Sequence, residues 1–309
     1  MSEIKRYTIT TKQAEIIREA LSTCDGNWWI AVRWGEDWTK EVGYLTHDAE
    51  EIEGVEIALC FSPETTILGD VHRVLECSEI RGIRIEGDYR NEIITDLRPL
   101  SKCSLLHTLY LNGCSSLVDM SPLSSLTSLT SLDLSVRSHK DRLVDISPLA
   151  SLKNLTSLNL RGGSLVDIAP VSSLSNLHTF QYSGGSLVDI SPVSSLKSLT
   201  CLNLSGCKSL VDISPLSSLQ NLQELKLSGT TRISSPLIDI TPLSSLKNLT
   251  SLDLNHCSSL VDISPLSSLT SLTCLNLSGC KSLVDIPPCL LYTSPSPRDL
   301  STSRMPSSA

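Results

Sequence analysis

Residues able to act as nucleophiles or metal ligands are plentiful in this chain, but they are scattered. Eleven cysteines and six histidines are spread over 309 residues, and His47, His72, His107, His139, His178 and His256 each stand apart from the others. There is no C-x-x-C pair, the spacing by which two thiolates share a zinc ion. The phosphate-cradling G-x-x-x-x-G-K, the dinucleotide G-x-G-x-x-G, the zinc-protease H-E-x-x-H and the kinase signatures are missing as well. Serine is so frequent that a Ser/His/Asp coincidence carries no information about a triad. The expectation is a non-enzymatic chain without metal or cofactor.

What is regular is the placement of other polar residues. Asp119, Asp145, Asp167, Asp189, Asp212, Asp239, Asp262 and Asp285 all stand three residues before a proline. An aspartate there can accept hydrogen bonds from the backbone N–H groups of the tight turn that follows, a structural duty rather than acid–base chemistry. Four N-x-S/T sequons, at Asn154, Asn203, Asn248 and Asn276, arise from a recurring "NLT" or "NLS" and carry little weight as glycosylation sites.

These residues are positioned by a repeat. Aligned on L-x-x-L-x-L, the chain gives "LHTLYLNGC" from Leu106, "LTSLDLSVR" from Leu129, "LTSLNLRGG" from Leu155 and "LHTFQYSGG" from Leu177. "LTCLNLSGC" from Leu199, "LQELKLSGT" from Leu222, "LTSLDLNHC" from Leu249 and "LTCLNLSGC" from Leu272 continue it, and a weaker "IRGIRIEGD" from Ile80 precedes it. The period is 22 to 27 residues, and each unit carries a second block, "SLVDISPLSSL" or a close relative. Alternation in "LTSLDL" predicts a strand with one buried face. A lone strand of this kind cannot bury its leucines, whereas stacked copies form a parallel sheet over one continuous core. In the second block Leu260, Ile263, Leu266 and Leu269 recur every three residues around a proline, a spacing that suits 3₁₀ or irregular backbone more than a long α-helix.

Over about two thirds of the chain this pattern resembles the leucine-rich repeat family, and the D-I-x-P-L block with its short period is most similar to the internalin-like and phosphatase-regulator-like subclass. The resemblance implies an α/β solenoid: a curved leucine-rich repeat with a parallel concave sheet and a 3₁₀ or irregular convex side. It also implies that Cys114, Cys207, Cys257 and Cys280, at the position of the family's Asn or Cys ladder, are buried reduced thiols that bond to the loop after the strand. The implied function is a protein–protein interaction scaffold. The alternative is the ligand-binding repeat region of a larger receptor or surface adhesion protein, truncated at its C-terminus.

Residues 1–78 differ in composition, for all four tryptophans, Trp28, Trp29, Trp34 and Trp38, lie there. Residues 1–100 hold 11 Lys and Arg against 20 Asp and Glu, while residues 101–309 hold 14 against 13, so the overall charge of −8 belongs to the first part. No basic stripe calls for nucleic acid. Thr10 and Gln13 form a capping-box pair ahead of Ala14, Ile17 and Leu21 on one helical face. "WWIAVRW" and "VEIALCF" each alternate like strands with one covered face, Val55, Ile57, Leu59 and Phe61 in the second case. The expectation is a small α+β N-terminal cap or domain over residues 1–78 that covers the open end of the repeats. The solenoid is expected over residues 79–288.

The N-terminus has no secretory apolar core and no run of eighteen apolar residues occurs, which predicts a cytoplasmic, membrane-free and monomeric protein. Residues 289–309 break the repeat with a polar, Pro/Ser-rich stretch. "CLLYTSPSPRD" and "SRMPSSA" resemble, in order, the two parts of a translated transposase-type sequencing adapter, so this tail is expected to be non-native and disordered and the repeat to be truncated.

A protein partner is expected on the concave sheet, where the third and fifth residues of each L-x-x-L-x-L point outward. The candidates are Tyr110, Asp133, Asn159, Arg161, Gln181, Glu224 and Lys226, with the N-terminal half around Tyr110, Asp133, Asn159 and Arg161 favoured because Tyr and Arg dominate interface energetics. Lys226 and Asp253, on neighbouring strands, are expected to pair with each other and so to anchor a partner poorly.

Overall fold

The computed structural model describes residues 5–24, 28–34, 37–42, 50–54, 56–61, 68, 71–77, 80–85, 95–114, 117–136, 145–162, 165, 167–183, 187–230 and 234–283. The adapter-like tail and the truncation read from it lie outside these residues, as does Asp285. Two compact units divide the chain, residues 1–155 and 156–309.

In the first unit, β1 (Lys5–Ile9) is followed by α1 (Thr11–Ala20), β2 (Trp28–Trp34), β3 (Asp37–Val42), β4 (Glu50–Gly54), β5 (Glu56–Phe61), α2 (Val71–Cys77) and β6 (Gly82–Ile85). The first repeat strands, β7 (Thr108–Tyr110) and β8 (Ser131–Asp133), complete it. The capping box forms as the sequence predicts: Gln13 N donates to Thr10 Oγ1 at 3.3 Å and Thr10 N to Gln13 Oε1 at 2.8 Å. Ala14, Ile17 and Leu21 are buried, and α1 packs on α2. Among the described residues β1 pairs with β4 in a separate two-stranded sheet. The main sheet runs β3-β2-β5-β6-β7-β8, antiparallel around β2 and parallel from β5 onward.

This sheet runs on past residue 78 without a break. Register places Ile30, Leu59, Ile83, Leu109 and Leu132 in one row, and all five are buried to 1 % exposure or less. The leucine row of the repeats thus extends into the tryptophan-rich segment. β5 departs from its expected one-sided burial, because Ala58 and Cys60 are as buried as Leu59 and Phe61. Short side chains on the second face let that face be covered too. Trp28 is half-buried; the side chains of the other three tryptophans, Val32, Val55 and Ile57 lie outside the described residues.

The described part of the second unit is repeat throughout. β9 (Ser157–Arg161), β10 (Thr179–Ser183), β11 (Cys201–Asn203), β12 (Glu224–Lys226), β13 (Ser251–Asp253) and β14 (Cys274–Asn276) form one parallel sheet in sequence order. Five 3₁₀ turns, such as Ser214–Ser218, return the chain on the other side, each with its proline in the first two positions. There the missing proline N–H costs no hydrogen bond. The three-residue leucine spacing is the 3₁₀ bonding step itself: Leu216 N donates to Ile213 O, Leu219 N to Leu216 O and Leu222 N to Leu219 O, at 2.9–3.0 Å. These leucines are fully buried, a gain of about 1.5–3 kcal/mol apiece over exposure.

Polar side chains stitch each coil to the one before. Ser218 Oγ donates to Ser194 O, Ser245 Oγ to Ser217 O and Ser268 Oγ to Ser244 O, at 2.8–3.0 Å. Asn221 and Asn248 amides reach Lys197 O and Gln220 O, and Thr250 and Thr273 hydroxyls reach Gln223 O and Thr250 O. The serine-rich composition is therefore structural.

The proline-side aspartates act as expected. In seven of the eight, from Asp119 to Asp262, one carboxylate oxygen accepts the N–H two residues on at 2.7–2.8 Å. Asp96 does the same for Arg98 one repeat ahead of Asp119. Hydrogen bonds from Ser121 hold the Asp119 carboxyl below the usual carboxylate range, and those from Ser147, Ser214 and Thr241 lower Asp145, Asp212 and Asp239.

Candidate binding face

The outward face of the repeat strands is built by alternation. Inward leucines at the fourth and sixth positions lock each strand to the core, which leaves the third and fifth side chains on the opposite face. In the second unit these residues are half-buried, apart from the exposed Cys274, because neighbouring rows shield one another. The fifth-position row runs Asn159, Gln181, Asn203, Lys226, Asp253, Asn276, and the third-position row Ser157, Thr179, Cys201, Glu224, Ser251, Cys274.

Sequence alternation did not reveal that most fifth positions already have a backbone duty. Asp133 Oδ1 accepts Ser135 N at 2.7 Å and Asn159 Oδ1 accepts Arg161 N at 3.1 Å. Asn203, Asp253 and Asn276 likewise accept the N–H two residues on, at 2.9–3.0 Å. Five of the eight fifth positions thus make Asx bonds, four of them on the last residue of the strand. Tyr110, Gln181 and Lys226 are the three with side chains of another kind.

In the first unit Tyr110 and Asp133 are direct neighbours in register, and Arg84 of β6 is Tyr110's neighbour on the other side. Arg84 is half-buried and belongs to this face. It was legible in "IRGIRIEGD", where it holds the fifth position, but the weak leucine pattern hid it. In the second unit Asn159 and Gln181 are neighbours, and Arg161 lies two residues along β9 from Asn159, exposed and level with Ser183.

Glu224 and Lys226 meet each other. Lys226 Nζ lies 2.7 Å from Glu224 Oε1, both about two-fifths exposed, and this hydrogen bond is the first cause of the raised Lys226 pKa. The expected Lys226–Asp253 pair is corrected: two residues apart on one strand, Glu224 and Lys226 share a face, while Asp253 Oδ1 is occupied by Asn255 N. Cys201 Sγ lies 3.7 Å from Glu224 Oε2, and burial first, then the carboxylate, pushes this thiol up to about 11.

Behind the face lie the ladder cysteines. Cys257 Sγ donates to Leu227 O at 3.6 Å and Cys280 Sγ to Leu254 O at 3.1 Å, while Cys114 Sγ lies 4.0 Å from Ile85 O. Burial pushes the Cys207 and Cys257 thiols up to about 12. Cys103, Cys201, Cys207, Cys257, Cys274 and Cys280 are thiols outside any disulfide. Among the described residues no group of three His, Cys, Asp or Glu is placed to hold a metal ion, and no helix is long and apolar enough to cross a membrane.

Comparison with known proteins accords with this geometry. Residues 165–230 match the R13L1/DRL21 leucine-rich repeats, and residues 247–290 match a two-copy leucine-rich repeat family. No curated protein sequence is detectably similar to the chain. Among solved structures, internalin C2 of Listeria monocytogenes superposes with a TM-score of 0.55 at 24% identity, over 79% of this chain and 92% of that one. Internalin InlF of the same organism gives 0.52 at 23% identity, over 86% and 81%. A TLR13–ssRNA13 complex gives 0.52 at 24% identity, over 69% of this chain and 32% of the other. The chain is a leucine-rich repeat protein, and its fold is the leucine-rich repeat solenoid.

Proposed function

We propose that the chain is a non-enzymatic scaffold that binds a protein partner through the outward face of its repeat sheet, in a reducing, cytoplasmic setting. The observation that carries this reading is the division of the fifth positions. Where Asp or Asn serves the backbone the residue is explained by the fold; Tyr110 in the first unit and Gln181 and Lys226 in the second carry side chains of another kind on half-buried outward positions, and Arg161 stands exposed on β9, the strand next to that of Gln181. Tyr and Arg are the side chains that most often contribute 2 kcal/mol or more at the centre of an interface. The cations of the face do not form a stripe, since Lys226 is paired with Glu224, and this favours a protein over a nucleic acid. The free, buried thiols support the reducing setting.

A second reading, the ligand-binding repeat region of a surface protein, is favoured by the extent of the internalin C2 likeness, which spans 92% of that chain. Affinity capture from source-cell lysate separates the possibilities. A Tyr110→Ala/Arg161→Ala double variant should lose the partners that the wild type retains. If both recover the same partners equally, while removal of residues 1–78 abolishes them, the sheet face is not the binding surface. Recovery of the intact protein from the cell exterior would favour the second reading.

A further inference from the structure

Six large apolar side chains are exposed among the described residues, and five of them hold one position of the repeat. Val118, Val188, Val211, Ile238 and Val261 each follow the first leucine of "LVDI" or its variants "LVDM" and "LIDI", and they are 53–59 % exposed. The leucine before each and the isoleucine or methionine two residues on are buried at 4 % or less, so the core is filled without them. The last four stand in consecutive coils of the second unit, whose 3₁₀ turns are stitched to one another by Ser218, Ser245 and Ser268. They form one apolar row along the stack.

Beside each member of that row stands an exposed aspartate, Asp189, Asp212, Asp239 or Asp262. Its Oδ1 accepts the N–H of the turn, yet a carboxylate offers about four acceptor positions and its charge remains. From strand end to 3₁₀ turn these coils carry the four aspartates against Lys208 and Arg232, so the flank is net acidic. Lys197 and Lys247 come after the turns, where their ammonium groups bond Ser218 O and Ser268 O. Among the described residues the second unit exposes no large apolar side chain outside the row.

Charge selects the occupant. A second copy would bring either an equal acidic row or a lysine flank with no aliphatic side chains to match, and an anionic membrane would be repelled. Spacing selects its form. Coils repeat at about 4.8 Å, a helical turn rises about 5.4 Å, and alternate residues of a strand lie about 6.8 Å apart. Over the three steps of the row a helix drifts by about 2 Å, within reach of a side chain, whereas a strand drifts by about 6 Å.

We propose that the row Val188, Val211, Ile238, Val261 is a second docking surface, separate from the outward sheet face, for a basic amphipathic helix of a protein partner. One aliphatic side chain per turn packs on the β-branched side chains, and one lysine or arginine per turn meets the aspartates.

The probe is a capped, fluorescently labelled helical peptide of about 18 residues, five turns, built from alanine with one leucine and one lysine per turn on adjoining faces. Titrated with the full-length protein, it should bind saturably by anisotropy. Val188→Thr/Val211→Thr/Ile238→Thr/Val261→Thr keeps β-branching at exposed sites, so its Tm should be unchanged while its affinity falls about tenfold. Asp212→Asn/Asp239→Asn retains the turn acceptor and should weaken binding about threefold, with a shallower salt dependence. Tyr110→Ala/Arg161→Ala should bind as the wild type does, which keeps this test separate from that of the sheet face. Equal affinity in the threonine variant overturns the proposal, as does equal binding of a peptide with the same residues in scrambled order, since the attraction is then charge alone. A loss confined to the Tyr110/Arg161 variant overturns it in favour of the sheet face. Self-association of the wild type in sedimentation, or flotation with anionic vesicles, that the threonine variant abolishes also overturns it and assigns the row to a second copy or to a membrane.

Discussion

Two kinds of coil in the second unit complete the same core by different chemistry. Coils with "SGC" or "NHC" after the strand place a cysteine behind it, and at Cys257 and Cys280 the thiol donates to a carbonyl of the preceding coil. Coils with "RGG" and "SGG" have glycine at that position. In the second of these the strand itself differs, Phe180 and Tyr182 replacing the usual leucines. Tyr182, the largest fully buried side chain among the described residues, donates from its hydroxyl to Leu165 O of the preceding coil at 2.8 Å. Its pKa is raised, by burial first. At Cys257, Cys280 and Tyr182 a buried polar link to the preceding coil is thus made by two different residue types.

The contrast can be broken most forcefully at Tyr182. Tyr182→Ala should cost about 3–5 kcal/mol in chemical denaturation, because it opens a cavity and leaves Leu165 O unpaired together. Tyr182→Phe keeps the volume and should lose about 1–2 kcal/mol, the part owed to the stranded carbonyl. A neutral Tyr182→Phe would mean that the hydroxyl adds nothing and that the comparison with the thiols is one of size alone. Cys257→Ala should cost about 1 kcal/mol, since a thiol is small and a weak donor.

The smallest effect belongs to a feature shared by both kinds of coil. The carboxyls of Asp119, Asp145, Asp212 and Asp239 are depressed in the folded protein from 3.8, each by hydrogen bonds from the residue two positions on. The sign follows: a lowered folded pKa gives stability that is fully present above the unfolded value and is lost as pH falls through the folded one. Tm should therefore be level from neutral pH down to about pH 5 and decline below about pH 4, where the unfolded chain takes up protons first. Asp212→Asn should flatten that decline slightly, and equally whichever coil carries the change.

Much of the fold was legible because a stacked repeat states the same constraint many times over. A single "LVDISP" says little; eight in frame establish an Asx turn and a 3₁₀ return. The partners of the outward residues were less legible. Alternation fixes the face of Asp133, Asn159 or Asp253 but not whether its oxygen looks to solvent or to the N–H two residues ahead, and local geometry at the strand end decides that. Lys226 had an acid on the next strand and another on its own, and reach favoured Glu224. Arg84 was obscured because "IRGIRIEGD" uses isoleucine where later repeats use leucine, although the frame already placed it beside Tyr110. Nor could alternation show that Ala58 and Cys60 would be covered, since short residues are compatible with either side of a strand.

The stitching bonds of the second unit have a mechanical consequence. From β11 onward the coils are tied by serine hydroxyls, often with an asparagine amide and a threonine hydroxyl, that all reach back to the preceding coil, and by three-residue strand pairing whose backbone bonds run in both directions. Under tension applied at its two ends the unit would not stretch evenly. The bonds between two coils would shear as a set and leave an equivalent set intact on the next pair, so the force–extension trace should be a staircase whose step is one coil.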